Sequence, residues 1–386
     1  MNAVPPSSAT PPAADRGAVF AAAATYLSFA APIAMLGVIW PDVRDRFDQS
    51  LGTLGIAGLV YGVGRMSTAL SGPLLVRRFR TGPAFVLMLV LLAGACGCAA
   101  VATSWLVFLV AFACIGAASG SLDSLGAGFI ASIRDVGSAG LVHGAYGIGS
   151  TAAPLLVLAV PSWRIALGIV AGLAIAAAVV CVRNSRSWPV IASDQRADAG
   201  DLPRRATAVS LGALFAFVAF EVTAGQWAFT HLTEERGIGD TLAATAVALY
   251  WGGIMVGRLA MARTGVRDTI DRVRLQRLAI VAGAATLTLT VVPSVATAAA
   301  LALVGLSLAP IAPSLFASTA SRVGESHAQR LAVWQLAATN AGAISVPFLT
   351  GQLVDAIGPG VVIAVAATTA FVGAWLLLAI TRLPSH

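Results

Sequence analysis

The chain has 386 residues, of which 58% are hydrophobic and 11% charged. A soluble domain carries roughly a quarter charged residues, so this composition cannot coat a water-facing surface, and it argues against the soluble enzyme classes. The net charge of +7 comes from 24 basic residues, all Arg, placed in short gaps between apolar runs; that spacing fits the positive-inside rule and disfavours nucleic-acid binding.

Taken in chain order, residues 1–16 are rich in Pro, Ser and Ala and lack the basic start of a secretory signal, so a disordered cytoplasmic tail is expected. A membrane span needs about 20 apolar residues. Gly17–Pro41 supplies span one, and Leu51–Leu75, interrupted by Arg65, supplies span two. Thr81–Ile133 contains only Asp123 as a charge and divides at Thr103-Ser104 into spans three and four. Val136–Val182 divides at Pro161 to Arg164 into five and six. The polar stretch 183–205 reads as a cytoplasmic linker. Ala206–Leu232, with Glu221, is span seven, and Thr241–Ala262, with Arg258, is span eight. Leu278–Ser321 divides at Pro293-Ser294 into nine and ten; Leu331–Leu353 and Ile357–Thr381 are eleven and twelve, ahead of a short tail, 383–386. The expected fold is an all-α membrane protein of twelve transmembrane helices in two six-helix halves, 17–182 and 206–382.

Both termini are expected on the cytoplasmic side of a plasma membrane. In that orientation the outer loops hold only Arg44, Arg46, Arg164 and Arg236, Arg65 and Arg258 lie within spans, and every other Arg falls inside. A repeat supports the division into halves. Val63-Gly64-Arg65 with Gly72 is matched 193 residues later by Val256-Gly257-Arg258 with Gly265, and Gly149, Pro154 and Leu156 by Gly342, Pro347 and Leu349. Such parallel repeats are related by an axis along the membrane normal.

Four ionisable residues lie inside spans: Arg65, Asp123, Glu221 and Arg258. A charge at the centre of a bilayer costs about 2.5–3.5 kcal/mol on insertion scales, so such residues face a cavity or a partner. They sum to zero, which permits ion pairs without identifying them, and pairs that only fix packing are the structural alternative. Ser119 and Asp123 share one face of span four, with Gly116 and Gly120 forming a small-residue contact beside it. An unperturbed imidazole changes charge near neutrality, which makes His143 a candidate proton relay, with a packed neutral ring as the structural alternative. Tyr146, Gln226, Trp227, Trp251 and Asn340 offer stacking and hydrogen bonds to a polar solute. Cys96, Cys98, Cys114 and Cys181 read as small packing residues, since they lie in apolar runs without metal-ligand spacing. No nucleotide-binding loop, catalytic triad or zinc-protease motif occurs, so no cofactor is expected and the chain reads as no enzyme.

The stretch Gly72-Pro-Leu-Leu-Val76-Arg77-Arg78-Phe79-Arg80 resembles the loop between spans two and three of the major facilitator superfamily (MFS), with Val76 where the family places an acidic residue and Phe79 where it places a second Gly. Three further segments resemble its fucose-permease-like, sugar-carrying branch: Gly116 to Asp123 leading to His143-Gly-Ala-Tyr146-Gly147-Ile-Gly149 and Pro154; Glu221 with Gly225-Gln226-Trp227; and Tyr250-Trp251-Gly252-Gly253 through Arg258. This resemblance implies a monomeric secondary transporter that works by alternating access, coupled to protons and carrying a small polar solute, a sugar among them. A drug-exporting proton antiporter is the runner-up, although Trp105 to Gly120 holds no basic residue of the kind found in many antiporters. A non-transporting receptor or scaffold is the reading from another class.

Overall fold

The computed structural model describes residues 15–133, 136–184, 188, 202–264 and 272–381. Residues 1–14 of the expected N-terminal tail, the tail 383–386 and most of the linker, 183–205, lie outside the described residues, as does Gly265 of the repeat; Asp15 and Arg16, read as the end of the tail, cap and open the first helix.

The described residues are helical almost throughout. In a hydrocarbon solvent every backbone N–H and C=O must be satisfied within its own segment, and Ala- and Leu-rich runs do so as helices. The first half comprises α1 (Arg16–Phe47), α2 (Leu54–Thr68), α3 (Gly72–Phe79), α4 (Thr81–Ala100), α5 (Trp105–Ile133), α6 (Val136–Ala159) and α7 (Trp163–Arg183). The second comprises α8 (Arg204–Thr230), α9 (Asp240–Thr264), α10 (Arg272–Thr288), α11 (Ser294–Leu308), α12 (Ile311–Ala317), α13 (Thr319–Val323), α14 (Glu325–Ile357) and α15 (Val361–Thr381). With α3, α12 and α13 set aside as short connecting helices, twelve remain as spans. Among the described residues, nine are long and apolar enough to cross a membrane by length and composition alone. The others are α2 and α10, at 15 and 17 residues, and α14, whose apolar run is diluted by Gln335, Thr339 and Asn340.

Several boundaries differ from the sequence reading: α1 runs past Pro41 to Phe47, and α10 starts at Arg272, six residues before Leu278. Span two is not continuous over Leu51–Leu75: a 3-10 turn, Leu51–Thr53, enters α2, which stops at Thr68, and Gly72-Pro73 opens the separate helix α3. Proline suits a first helical turn, where its missing N–H has no partner to lose. Pro310 likewise separates α12 from α11 within the run read as span ten, and α14 starts at Glu325, six residues before Leu331.

The repeat is visible in the packing. In the first half α1 lies on α6, α2 on α5 and α4 on α7; in the second α8 lies on α14, α9 on α11 and α10 on α15. The halves meet where α6 packs on α9, α2 on α14 and α1 on α8. Each half has its own core, one around Trp40, Phe85, Phe108, Phe112 and Phe129, the other around Phe217, Phe220, Tyr250 and Leu301. Leu87, Val90 and Leu91 of α4, Ile169 and Leu173 of α7, and Phe371 and Trp375 of α15 stay exposed, as expected of faces turned to lipid.

Two arginines of the loops read as external have structural duties. Arg164 donates to the carbonyls of Ala100 at 2.6 Å and Ala102 at 3.0 Å, closing the C-terminal end of α4. Arg236 donates to the carbonyls of Leu289 and Val292, closing α10 in the same way. A cation at a helix C-terminus satisfies orphan carbonyls and complements the helix dipole.

Candidate substrate and proton site

Bare glycines bring α2 and α5 together. A Cβ on Gly116 would fall 2.0 Å from the Tyr61 carbonyl oxygen, and one on Gly120 2.2 Å from that of Arg65. At that close approach Arg65 reaches across, its Nη2 2.6 Å from Oδ2 of Asp123. The Tyr26 hydroxyl of α1 donates to the other carboxylate oxygen at 3.4 Å. In the second half Nη2 of Arg258 on α9 reaches both oxygens of Glu221 on α8, at 3.2 and 3.1 Å. Tyr250, one turn from Ile254 on the same helix as Arg258, donates to the Glu221 backbone carbonyl at 2.7 Å and so ties α9 to α8 beside the pair.

Neither pair is sealed in a core. The side chains of Arg65 and Asp123 are 26% and 42% exposed, those of Arg258 and Glu221 37% and 17%. Helix α6 packs against α1 of its own half and α9 of the other. The Tyr146 ring meets those of Tyr26 and Phe29 edge-on, and His143 meets Tyr26 edge-on at 5.7 Å between centroids. The charges of Arg65, Asp123 and Glu221 all act on Tyr146, and those of Asp123 and Arg258 on His143. These two α6 side chains are therefore within electrostatic reach of both halves.

The remaining candidates lie elsewhere or are engaged. Gln226 and Trp227 are buried at the end of the bundle opposite Arg16 and Thr381; Gln226 donates to the Leu54 carbonyl at 3.1 Å and Trp227 to that of Pro347 at 3.1 Å. Asn340 spends its amide N–H on the Leu336 carbonyl of its own helix, at 2.8 Å. Trp251 packs edge-on against Tyr250 and touches both hydrophobic cores, while its buried indole N–H has no acceptor among the described residues.

The end holding Gln226 and Trp227 is shut by direct ties between halves. Arg44 pairs with Glu234 at 3.0 Å. Asp355 of α14 accepts from the Gly52 N–H at 2.6 Å and the Ser50 hydroxyl at 2.7 Å, capping from the second half the turn that leads into α2. Backbones touch there: a Cβ on Gly52 would lie 2.0 Å from the Gly351 carbonyl oxygen, and one on Gly351 2.2 Å from that of Gly52. The outer stretches of α1 and α8, residues 34–40 and 223–230, are continuously buried.

Sequence reasoning missed the role of Asp355, which reads as one more loop carboxylate. It also counted Arg322 among the cytoplasmic loop charges. The structure buries that side chain, which donates to Ser210 Oγ at 3.1 Å, to the Leu315 carbonyl at 2.6 Å and to Ser318. The dense hydroxyl run Ser314, Ser318, Thr319 was the available signal.

Two six-helix bundles around a charged, partly open centre, shut at one end, define a membrane carrier rather than an enzyme. The family model of the Major Facilitator Superfamily matches residues 18–331. The chain belongs to that superfamily and is a solute transporter of the alternating-access kind. No curated protein matches its sequence. Among solved structures, the fold is similar to a bacterial homolog of the human lysosomal transporter Spinster, in an inward-facing and occupied conformation, at 15% identity and TM-score 0.72, covering 95% of this chain and 97% of that one. It is similar to the peptide transporter POT at 12% identity and TM-score 0.76, covering 95% and 94%, and to the nucleoside transporter NupG at 14% and 0.75, covering 94% and 99%.

Proposed function

We propose that this transporter is a proton-coupled carrier of a small polar solute, working as a monomer in the cytoplasmic membrane with both termini inside. One observation carries the reading: each half holds an Arg–carboxylate pair within its spans, partly open, and His143 and Tyr146 feel the charges of both. A carboxylate whose partner and hydration change as the halves rock is the element a proton carrier needs, because it can take up a proton in one state and release it in the other. The ties around Asp355 make the present state the one closed at the end away from the termini. With the termini inside, that state opens toward the cytoplasm.

The sugar expectation rests on the branch resemblance. Gln226 and Trp227 are buried against backbone carbonyls here, whereas both charged pairs are partly open and the indole N–H of Trp251 has no acceptor among the described residues. These groups support the reading of a polar or charged solute better than that of a sugar ring. Purified protein in liposomes tests the carrier reading. An imposed inward proton gradient should drive accumulation of a radiolabelled solute from a panel of sugars, organic acids and lipophilic cations. No gradient-driven movement of any of them would overturn proton coupling, and export of the cations alone would favour the drug antiporter. The orientation is checked separately: a cysteine placed at Gln195 should react with impermeant thiol reagents from the cytoplasmic side only.

A further inference from the structure

The way Arg258 is paired narrows the solute. A guanidinium donates from every nitrogen and matches a carboxylate or phosphate best when two N–H groups meet two oxygens side by side. Arg258 does not meet Glu221 in that manner: Nη2 alone serves both Glu221 oxygens, at 3.1 and 3.2 Å, and the buried Nε has no acceptor among the described residues. A buried donor without a partner is costly, so its persistence points to an acceptor that arrives from outside. The Arg258 side chain is nonetheless 37% exposed, on a helix that packs against α6 of the other half, where the charge of Arg258 reaches His143. Glu221 is the less exposed partner, at 17%.

Resting on the carrier reading above, we infer that the solute bears an oxyanion, a carboxylate or phosphate group, and that Arg258 is its binding residue. Glu221 holds the guanidinium while the site is empty. When Glu221 takes up a proton it loses its claim on Arg258, and the entering oxyanion takes the guanidinium edge that includes Nε. The charge balance closes: one proton arrives with one anionic group, and the loaded site carries the same net charge as the empty one. Asp123, more exposed at 42% and held by Arg65 and Tyr26, is left to accept from hydroxyl or ammonium groups elsewhere on the solute. Lysine would not replace Arg258, since a point charge cannot match two oxygens at once.

The test uses the full-length protein in detergent and in liposomes, with lactate, succinate, inorganic phosphate, glucose 6-phosphate and glucose as probes. Binding is read as ligand-dependent thermal stabilisation between pH 5.5 and 8. At least one oxyanion probe should stabilise the wild type, more strongly at the lower pH, while glucose should not. Arg258→Lys should weaken that binding at least about tenfold. Glu221→Gln, which stands in for the protonated acid, should bind the same probe with no pH dependence beyond the probe's own titration, and it guards against a merely misfolded Arg258 variant. Stabilisation and uptake of glucose with no response to any oxyanion would overturn the inference and leave the carrier standing. An oxyanion affinity unchanged in Arg258→Lys would overturn the assignment to Arg258. Oxyanion binding without uptake in liposomes would instead overturn the carrier reading and leave the binding site in place.

Discussion

The two halves carry the same cation and different anions. Arg65 and Arg258 are separated by the 193-residue repeat and sit on equivalent helices, α2 and α9. The carboxylates that hold them are not equivalent: Asp123 comes from α5 and Glu221 from α8. The repeat positions of those acids are Phe316 and Ser28, neither able to pair with a guanidinium as an anion. The geometry diverges with the position. Asp123 is the more exposed acid and has a tyrosine hydroxyl on its second oxygen, whereas Glu221 gives both oxygens to one nitrogen of Arg258. The repeat therefore fixes where positive charge enters the centre, and the neutralising acid is where the halves are free to take different tasks. That difference supports the proposal that Glu221 serves proton coupling with Arg258, while Asp123 meets the solute's hydroxyl or ammonium groups.

The largest expected effect separates those tasks. Glu221→Gln should abolish gradient-driven accumulation, by roughly a hundredfold or more given the free energy an ordinary proton gradient supplies, while solute exchange across the membrane stays largely intact, because exchange requires no net proton release. The measurement compares uphill uptake and counterflow in the same liposomes. Uphill transport by this variant with an unchanged pH profile would assign Glu221 to structure and erase the contrast between halves. Asp123→Asn should leave accumulation coupled and raise KM about tenfold, the worth of one charge-assisted hydrogen bond. If coupling is lost there as well, the two acids act as one unit.

Much of this was legible before the structure. Residue type and span length placed Arg65, Asp123, Glu221 and Arg258 inside the membrane, and the repeat tied the arginines to equivalent positions. Which acid meets which arginine was not legible, because that depends on how closely two helices approach. Gly116 and Gly120 signal such an approach without naming the facing helix. The helical fold follows from apolar run length, but the breaks at Gly72-Pro73 and Pro310 are decided by single residues that a hydropathy run passes over. Gln226 and Trp227 illustrate a different limit. A polar or aromatic residue in a span serves equally well in a solute cavity or between packed halves, and only the partners, here the carbonyls of Leu54 and Pro347, tell the two apart.

The contrast between halves matters for transport only if they move as units, and the shut end tests that. With Gly52 and Gly351 in backbone contact, Gly351→Val introduces atoms where the Gly52 carbonyl already stands, so that end cannot close as it does here. A cysteine reporter at Gln226, in a background with its native cysteines replaced, should then be labelled by a small thiol reagent several-fold faster, roughly tenfold for a shift of about 1.4 kcal/mol between states. An unchanged rate would mean that the glycine contact does not hold the end shut.

The smallest effect concerns a feature the halves share. Arg164 closes the C-terminus of α4 and Arg236 that of α10, repeat-related helices, although the two arginines come from unrelated positions. Each donates to two carbonyls that the helix end leaves unsatisfied, and each removes one positive charge from the tally that orients the chain. Replacing either by Gln should cost about 1–2 kcal/mol, since the charge-assisted bonds are lost while a shorter neutral amide and water satisfy the carbonyls in part. In a chain of 386 residues that is a fall of about 1–2.5 °C in the melting temperature. Arg164 also stacks on the Trp163 ring, 4.6 Å from its centroid, and this contact makes Arg164→Gln the more harmful of the two by a few tenths of a kcal/mol up to about 1 kcal/mol. Transport by both variants, corrected for the amount of folded protein, should match the wild type. A loss of coupling in either would tie a helix cap at the rim to the charged centre and set aside the division of labour between the two acids.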